Sequence, residues 1–159
     1  MNSSIRVSWT RIAVVGIVAG LIGATTFDLY LWATTLAPAH QTIGGLWQWV
    51  ASTAFGKGAL VNPAYAVVGA AMHAVVSIGW AGGFAYVAAA NPLAARRWVP
   101  AGLVYGIVVY ALMQTILLAD NNFTYPPNPN AFLNAVVAHA AFFGLPVAFT
   151  VQAMQRRES

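Results

Sequence analysis

Four long apolar runs constrain the fold of this chain more than any other feature. A helix needs about 20 mainly apolar residues to cross the hydrocarbon core of a bilayer, and four segments meet that requirement. We predict spanning helices over about residues 9–35, 63–90, 99–119 and 129–154. The predicted fold is therefore all-α, a four-helix transmembrane bundle that forms a single domain.

The composition excludes an ordinary water-soluble domain. Hydrophobic residues make up 60% of the 159 positions and charged residues only 6%, and the mean hydropathy is +0.70. A soluble domain carries about 25% charged residues. So few charges could not cover a water-facing surface, and lipid is therefore the expected solvent for most of the chain.

The basic residues predict the orientation of the helices. Six of the seven flank the apolar runs where they would share one side of a membrane: Arg6, Arg11, Arg96, Arg97, Arg156 and Arg157. Lys and Arg are retained on the cytoplasmic side during insertion, so we expect both termini in the cytoplasm. These charges occur in pairs rather than as a stripe, which favours anionic lipid headgroups over nucleic acid as their partner.

The first apolar run resembles a signal peptide in its basic start. It continues from Ile12 to Leu36, longer than the roughly 7–15 residues of a signal-peptide core. We therefore expect a retained spanning helix.

The long connection between the first two runs predicts one more element. Apolar residues recur there at helical spacing, which indicates a short amphipathic helix over about residues 45–56 lying in the outer interface. Trp47 and Trp49 would anchor it at headgroup depth, and Lys57 would extend to water. The alternative is a cap packed over the mouth of the bundle.

Two histidines occupy matching positions in the second and fourth helices. His73 and His139 each follow a helix-starting proline, Pro63 or Pro129, by ten residues. Ten residues correspond to about 15 Å of helical rise, so both imidazoles should lie near mid-membrane. The candidate intramembrane polar site comprises Asp28, His73, Ser77, Gln114 and His139.

The chemistry of this candidate site stays open between four interpretations. The two histidines could be the axial ligands of a b-type haem, or could bind a transition metal with Asp28 as a third ligand. They could instead hydrogen-bond to backbone carbonyls, Ser77 or Gln114 and fix the helix register. A proton relay would also use Asp28.

Small residues predict where the helices approach each other. Three GxxxG spacings occur, and such spacing lets helix backbones come close in lipid: Gly16 and Gly20, Gly79 and Gly83, and Gly102 and Gly106. The first and third helices each carry one, which is compatible with two hairpins related by a pseudo-twofold axis. Pro146 lies inside the fourth helix and should kink it or open its hydrogen-bond ladder.

Several short stretches carry a family resemblance: residues 46–52 (LWQWVAS), 56–59 (GKGA), 69–73 (GAAMH) and 139–148 (HAAFFGLPVA). In these the chain resembles the YagU-like family of small, largely uncharacterised bacterial inner-membrane proteins, or a sibling family, since the proline-rich segment 125–130 differs. The resemblance implies a histidine on helix 2, another on helix 4, and a location in the bacterial plasma membrane. It implies no reaction.

Enzyme signatures are missing from the sequence. There is no HExxH, no G-x-S-x-G and no phosphate-binding loop, and the chain has no cysteine. We therefore expect a non-enzymatic membrane component, either a homo-oligomer or a subunit of a larger membrane complex. The alternatives are a haem or metal protein using His73 and His139, and the passage of protons, ions or small molecules using Asp28 and the histidines.

Overall fold

The structure is a computed structural model that describes residues 8–119 and 129–156. Within these ranges every regular element is helical. Four helices are long and apolar enough to cross a membrane: Trp9–Leu36, Tyr65–Ala90, Trp98–Leu117 and Pro129–Arg156. The all-α prediction and the four membrane-length helices are therefore confirmed. Arg6, Arg157 and the segment 120–128 between the predicted third and fourth helices lie outside the described residues.

Two of these four helices, the first and the fourth, contain a π-helical segment. The first comprises α1 (Trp9–Leu31) and a π-helical segment (Trp32–Leu36), and it is followed by α2 (Ile43–Phe55) and a 3₁₀ turn (Lys57–Leu60). The second and third are α3 (Tyr65–Ala90) and α5 (Trp98–Ala119), joined by the short α4 (Pro92–Arg96). The fourth comprises α6 (Pro129–Val137), a π-helical segment (Ala138–Gly144) and α7 (Leu145–Arg156).

Local capping explains why α2 forms as a separate helix. The Thr42 hydroxyl accepts a hydrogen bond from the Gly45 N–H at 3.2 Å and so caps its first turn. Gly56 ends the helix at a φ of 75°, in the left-handed region that glycine adopts without steric cost. Gln48 then donates to the Ala59 carbonyl at 3.2 Å and ties α2 to the 3₁₀ turn.

The first GxxxG lies at the crossing of α1 and α3. A Cβ atom on Gly16 would lie 2.9 Å from the Cα of Gly82, and one on Gly20 would lie 2.5 Å from the Cα of Ile78. Neither distance leaves room for a methyl group. The two glycines therefore let the two backbones touch, as expected for helix packing in lipid.

The GxxxG of α5 lies at the crossing of α5 with the fourth helix, just as the first GxxxG lies at the crossing of α1 with α3. A Cβ on Gly102 would lie 2.7 Å from the Gly144 carbonyl oxygen, and one on Gly106 would collide with the His139 carbonyl. The first helix of each hairpin thus uses its two glycines to approach its own partner. This arrangement is compatible with the pseudo-twofold interpretation.

The third GxxxG does not form a helix crossing. A Cβ on Gly79 would meet no atom of the described chain within 4 Å, and one on Gly83 would meet only the Tyr105 hydroxyl, at 3.2 Å. Gly79 and Gly83 therefore make no backbone crossing among the described residues, and their role in helix packing stays a prediction. Both glycines lie on a face of α3 that is turned away from α1.

The two ends of the bundle differ in packing. At the α4 end, apolar side chains from α1, α3, α5 and α7 form a continuous core that includes Val15, Phe84 and Val147. At the α2 end, α3 packs mainly on α1 and α2, while α5 packs mainly on the fourth helix. α3 and α5 meet instead through side chains such as Tyr105, whose hydroxyl donates to the Trp80 carbonyl at 2.5 Å. A space is left between them.

The irregular fourth helix has an identifiable cause and a compensating partner. Pro146 has no N–H to donate to the carbonyl of Phe142, four residues earlier. That carbonyl accepts instead from the Thr26 hydroxyl of α1, at 2.5 Å. The predicted opening of the hydrogen-bond ladder is thus visible as a π-helical segment, and a side chain from the neighbouring helix satisfies the exposed oxygen.

Candidate functional site

The space between α3 and α5 is a cavity of about 290 Å³, which we call the α2 cavity because α2 covers one side of it. All four membrane-length helices contribute to its wall. The lining is mostly aromatic and aliphatic, including Phe27, Trp49, Met72, Trp80, Tyr110 and Phe143. Four of the five predicted polar site residues also line it: His73, Ser77, Gln114 and His139.

The fifth residue, Asp28 of α1, does not line the cavity but contacts residues of α2 and α3. Its Oδ1 is 3.2 Å from Nε2 of His73 on α3, and its Oδ2 accepts a hydrogen bond from the Trp47 indole N–H of α2 at 3.2 Å. The His73 contact lacks the alignment of a good hydrogen bond, and neither atom has another hydrogen-bond partner among the described residues. The two atoms are therefore in close contact, which is an ion pair only when the imidazole is protonated. Both side chains are largely buried, at 15% and 20% exposure for Asp28 and His73.

His139 is held by its own helix. Its Nδ1 lies 2.8 Å from the carbonyl oxygen of Ala135, one turn earlier. Because a carbonyl oxygen only accepts, Nδ1 must carry the proton of this bond, and Nε2 of the neutral imidazole is then an acceptor. Nε2 is on the part of the ring turned away from the helix backbone. The π-helical segment that begins at Ala138 contains this histidine, and such segments are frequent at functional sites.

The ring of Phe27 contacts both histidines. Its centroid lies 5.6 Å from that of His73 and 4.8 Å from that of His139, and it meets His139 edge-on. Two axial haem ligands must point at one iron from opposite sides of a flat macrocycle. The haem interpretation of this histidine pair stays a prediction.

The three-residue metal site does not fit the positions of the described side chains. Asp28 and His73 are adjacent, but His139 is not brought into the same coordination sphere. Across residues 8–119 and 129–156, no three His, Cys, Asp or Glu side chains form a group that could hold a metal ion. The predicted three-residue metal site is therefore wrong within the described chain.

Ser77 and Gln114 do not hydrogen-bond to the histidines. Ser77 is 3% exposed, and its hydroxyl has no hydrogen-bond partner among the described residues. Gln114 donates one amide N–H to the Tyr110 hydroxyl at 3.3 Å. The predicted interhelical hydrogen bonding of the histidines is not seen among the described residues, because the bond of His139 to a backbone carbonyl lies within its own helix.

α2 lies across one end of α3 and closes part of the cavity. Leu46, Trp49, Val50 and Thr53 line it, at the i, i+3, i+4, i+7 spacing of one helix face. A second face lies on α3, where Gly69 has no room for a Cβ against the backbone of Trp47. α2 thus packs on α3 and covers part of the cavity, and its predicted position in the outer interface stays a prediction.

The predicted interfacial anchors have different surroundings. Trp47 is half-buried and donates its indole N–H to Asp28, and its headgroup contact stays a prediction. Trp49 lines the cavity but remains 40% exposed. Lys57 is exposed on the 3₁₀ turn, so its snorkelling remains a prediction.

A second polar connection joins the first and fourth helices near the same end. The Tyr30 hydroxyl donates to Oδ1 of Asn134 at 2.6 Å, and Nδ2 of Asn134 donates to the Thr35 hydroxyl at 2.9 Å. Tyr30 also stacks on Phe142, with 4.0 Å between ring centroids. These contacts fix the side of the bundle opposite the gap between α3 and α5.

Comparison with known proteins adds no assignment. No protein-family model matches the chain, and neither a curated protein nor a solved structure matches it significantly. The resemblance to the YagU-like family therefore remains a prediction based on short stretches.

Sequence reasoning missed two features of the site. It did not connect Trp47 with Asp28, although a carboxylate placed in an apolar helix requires a donor. It also did not find the contact of Phe27 with both histidines, because Phe27 looks like any apolar residue of α1. The spacing of Leu46, Trp49, Val50 and Thr53 could have indicated the face of α2 that covers the cavity.

Proposed function

We propose that this protein is an integral membrane protein that binds a small, mainly apolar molecule in the α2 cavity. One observation carries the proposal: a cavity lined largely by aromatic and aliphatic side chains holds a few polar groups on its wall. Such a combination is typical of small-molecule sites. The sequence shows no catalytic signature, so binding rather than catalysis is the proposed activity.

The position of the cavity supports entry from the bilayer. It lies between α3 and α5, which meet through side chains rather than through close backbone packing. The opposite wall is closed by Thr26, Tyr30 and their partners on the fourth helix. A molecule dissolved in the hydrocarbon layer would therefore reach the site laterally between these two helices.

Two adjacent valines of α3 provide a matched test. Val76 lines the cavity, whereas Val75 is 68% exposed and does not. A tryptophan at position 76 should fill much of the space, and one at position 75 should point away from it. Wild type, Val76→Trp and Val75→Trp would be reconstituted in lipid nanodiscs, titrated with decan-1-ol and with decyl methyl ether, and read by native mass spectrometry.

Saturable binding of either probe to wild type and Val75→Trp, with at least a tenfold loss in Val76→Trp, supports the proposal. Equal binding by all three proteins would place the probe outside the cavity and overturn it. Circular dichroism of each variant shows whether the helices persist, so a loss caused by unfolding is recognised.

The membrane topology is a further part of the proposal. We propose a bacterial plasma-membrane location with both termini in the cytoplasm and α2 at the external side, supported by the positions of Arg11, Arg96 and Arg156. Because the chain has no cysteine, Lys57→Cys and Arg96→Cys each create a single labelling site. A membrane-impermeant maleimide should label the first in spheroplasts and the second only after lysis. The reverse pattern would contradict the orientation.

Self-association is a second candidate function. Gly79 and Gly83 are exposed on α3, where no described atom lies within 4 Å of a Cβ on Gly79 and only the Tyr105 hydroxyl lies near one on Gly83. A second copy or a subunit of a larger complex could pack there, as glycine spacing of this kind allows. Light scattering in nanodiscs, with Gly79→Leu as the disrupting variant, tests it; a wild-type monomer with no copurifying partner contradicts it.

A further inference from the structure

The polar groups on the wall of the α2 cavity restrict the chemistry of its ligand. The Nδ1–H of His139 is directed to the Ala135 carbonyl at 2.8 Å, so Nε2 of the neutral ring has a lone pair to offer. A ligand group that meets this nitrogen must donate a hydrogen bond. A ketone, an ester or an ether cannot.

Two other side chains that line the cavity can donate a hydrogen bond to a ligand. Gln114 gives one amide N–H to Tyr110 and keeps a second N–H. Ser77, on the opposite helix α3, has a hydroxyl without a partner among the described residues and also lines the cavity. A group that donates to His139 could therefore accept from Gln114 or Ser77. A hydroxyl has both capacities in one atom.

The charges around the cavity disfavour an ionic head group. No Lys or Arg is found in the described lining, so an anion would be buried without a counter-ion, at a large cost. Asp28, whose Oδ2 accepts from Trp47 and whose Oδ1 lies 3.2 Å from His73, does not line the cavity. A cation would therefore meet no carboxylate in the described lining either.

Building on the proposed function, we propose that the ligand is a neutral lipid alcohol, with its hydroxyl on Nε2 of His139 and its apolar body against Phe27 and Trp80. The hydroxyl donates to His139 and accepts from Gln114 or Ser77. The histidine thus determines specificity, while the aromatic wall provides affinity through apolar contact.

Four probes with the same ten-carbon chain separate these contributions in wild-type protein. Decan-1-ol donates and accepts, decyl methyl ether only accepts, and decanoate and decyltrimethylammonium are charged. Their dissociation constants would be measured in nanodiscs by native mass spectrometry and expressed as mole fraction in lipid, which removes differences in partitioning. We expect the alcohol to bind about tenfold more tightly than the ether, since a buried acceptor left unpaired weakens binding by roughly that factor.

His139→Phe tests the assigned residue. It should weaken alcohol binding about tenfold and leave ether binding within a factor of about two, so that the preference disappears. His40→Phe is the matched control, because His40 is exposed in the turn between the first helix and α2, and it should retain the preference. Should His139→Phe not fold, the alcohol-to-ether ratio in wild type still decides.

Each result has a defined meaning. An alcohol preference that depends on His139 supports the inference. Equal affinity for alcohol and ether, or tighter binding of a charged probe, overturns the inference of a lipid alcohol. The cavity remains a binding site in that case if Val76→Trp still blocks binding. Failure of Val76→Trp to affect any probe overturns the proposed function itself, and with it this inference.

Discussion

The contact of α2 with α3 depends on one glycine, and replacing Gly69 by alanine tests that dependence. A Cβ at this position would lie 2.5 Å from the carbonyl carbon of Trp47 and 3.1 Å from its Cα. Carbon atoms in contact are about 3.5–4.0 Å apart. The obstructing atoms are backbone, so no rotamer change relieves the collision, and α2 must move by about 1 Å or more.

The magnitude follows from what this movement disturbs. Forcing a methyl group into a packed contact costs about 1–3 kcal/mol. The 3.2 Å bond from Trp47 to the Asp28 carboxylate would be stretched beyond hydrogen-bond length, and a bond to a charged group contributes about 1.5–3 kcal/mol. Alanine returns up to about 1 kcal/mol through its helix propensity. We therefore expect Gly69→Ala to lower the free energy of unfolding by about 2–4 kcal/mol.

The assay is an SDS titration of the protein in dodecylmaltoside, followed by far-ultraviolet circular dichroism and tryptophan fluorescence. Gly79→Ala is the matched control, because it lies on the same helix and its Cβ would meet no described atom within 4 Å. It should be neutral or stabilising by up to about 1 kcal/mol. Equal transition midpoints for the two variants would refute the close contact between α2 and α3, and with it α2 as the cover of the cavity.

Three further outcomes are expected. Thr26→Val should destabilise the protein by about 1–2 kcal/mol, because it leaves the Phe142 carbonyl unpaired. The loss should be clearly smaller in a Pro146→Ala background, and equal losses in a double-mutant cycle would contradict the pairing of Thr26 with this carbonyl. Gly106→Ala should cost about 1–3 kcal/mol in the same SDS titration, because its methyl group meets the backbone of the fourth helix, and a neutral result would exclude that crossing. Trp47→Phe should expose α2 to limited proteolysis more than Asp28→Asn does, since an asparagine oxygen still accepts the indole N–H; equal cleavage rates would argue against that bond.

Much of the fold was predictable because it depends on local properties. The length and hydropathy of each run predict a helix that can cross a membrane, and the cap and glycine around α2 predict its limits. The polar site was predictable as a set, since His73 and His139 follow their prolines by the same distance. The pairing of Asp28 with Trp47 was not predictable, because it joins residues of two helices through a turn whose path the sequence does not specify.

The glycines show most directly where local information ends. Gly16, Gly20, Gly102 and Gly106 lie at helix crossings, whereas Gly79 has the same spacing and meets open space. Spacing places two small residues on one face of a helix, but only packing of the whole bundle determines which face meets another helix.

For this protein the sequence alone determined that the chain forms four membrane-length helices. Only the tertiary structure decided that Phe27 contacts both histidines, that α2 covers a cavity, and that α3 and α5 stand apart. The physical reason is that helix formation depends on contacts within one segment. The rotation of each helix about its axis is instead set by side chains far apart in sequence.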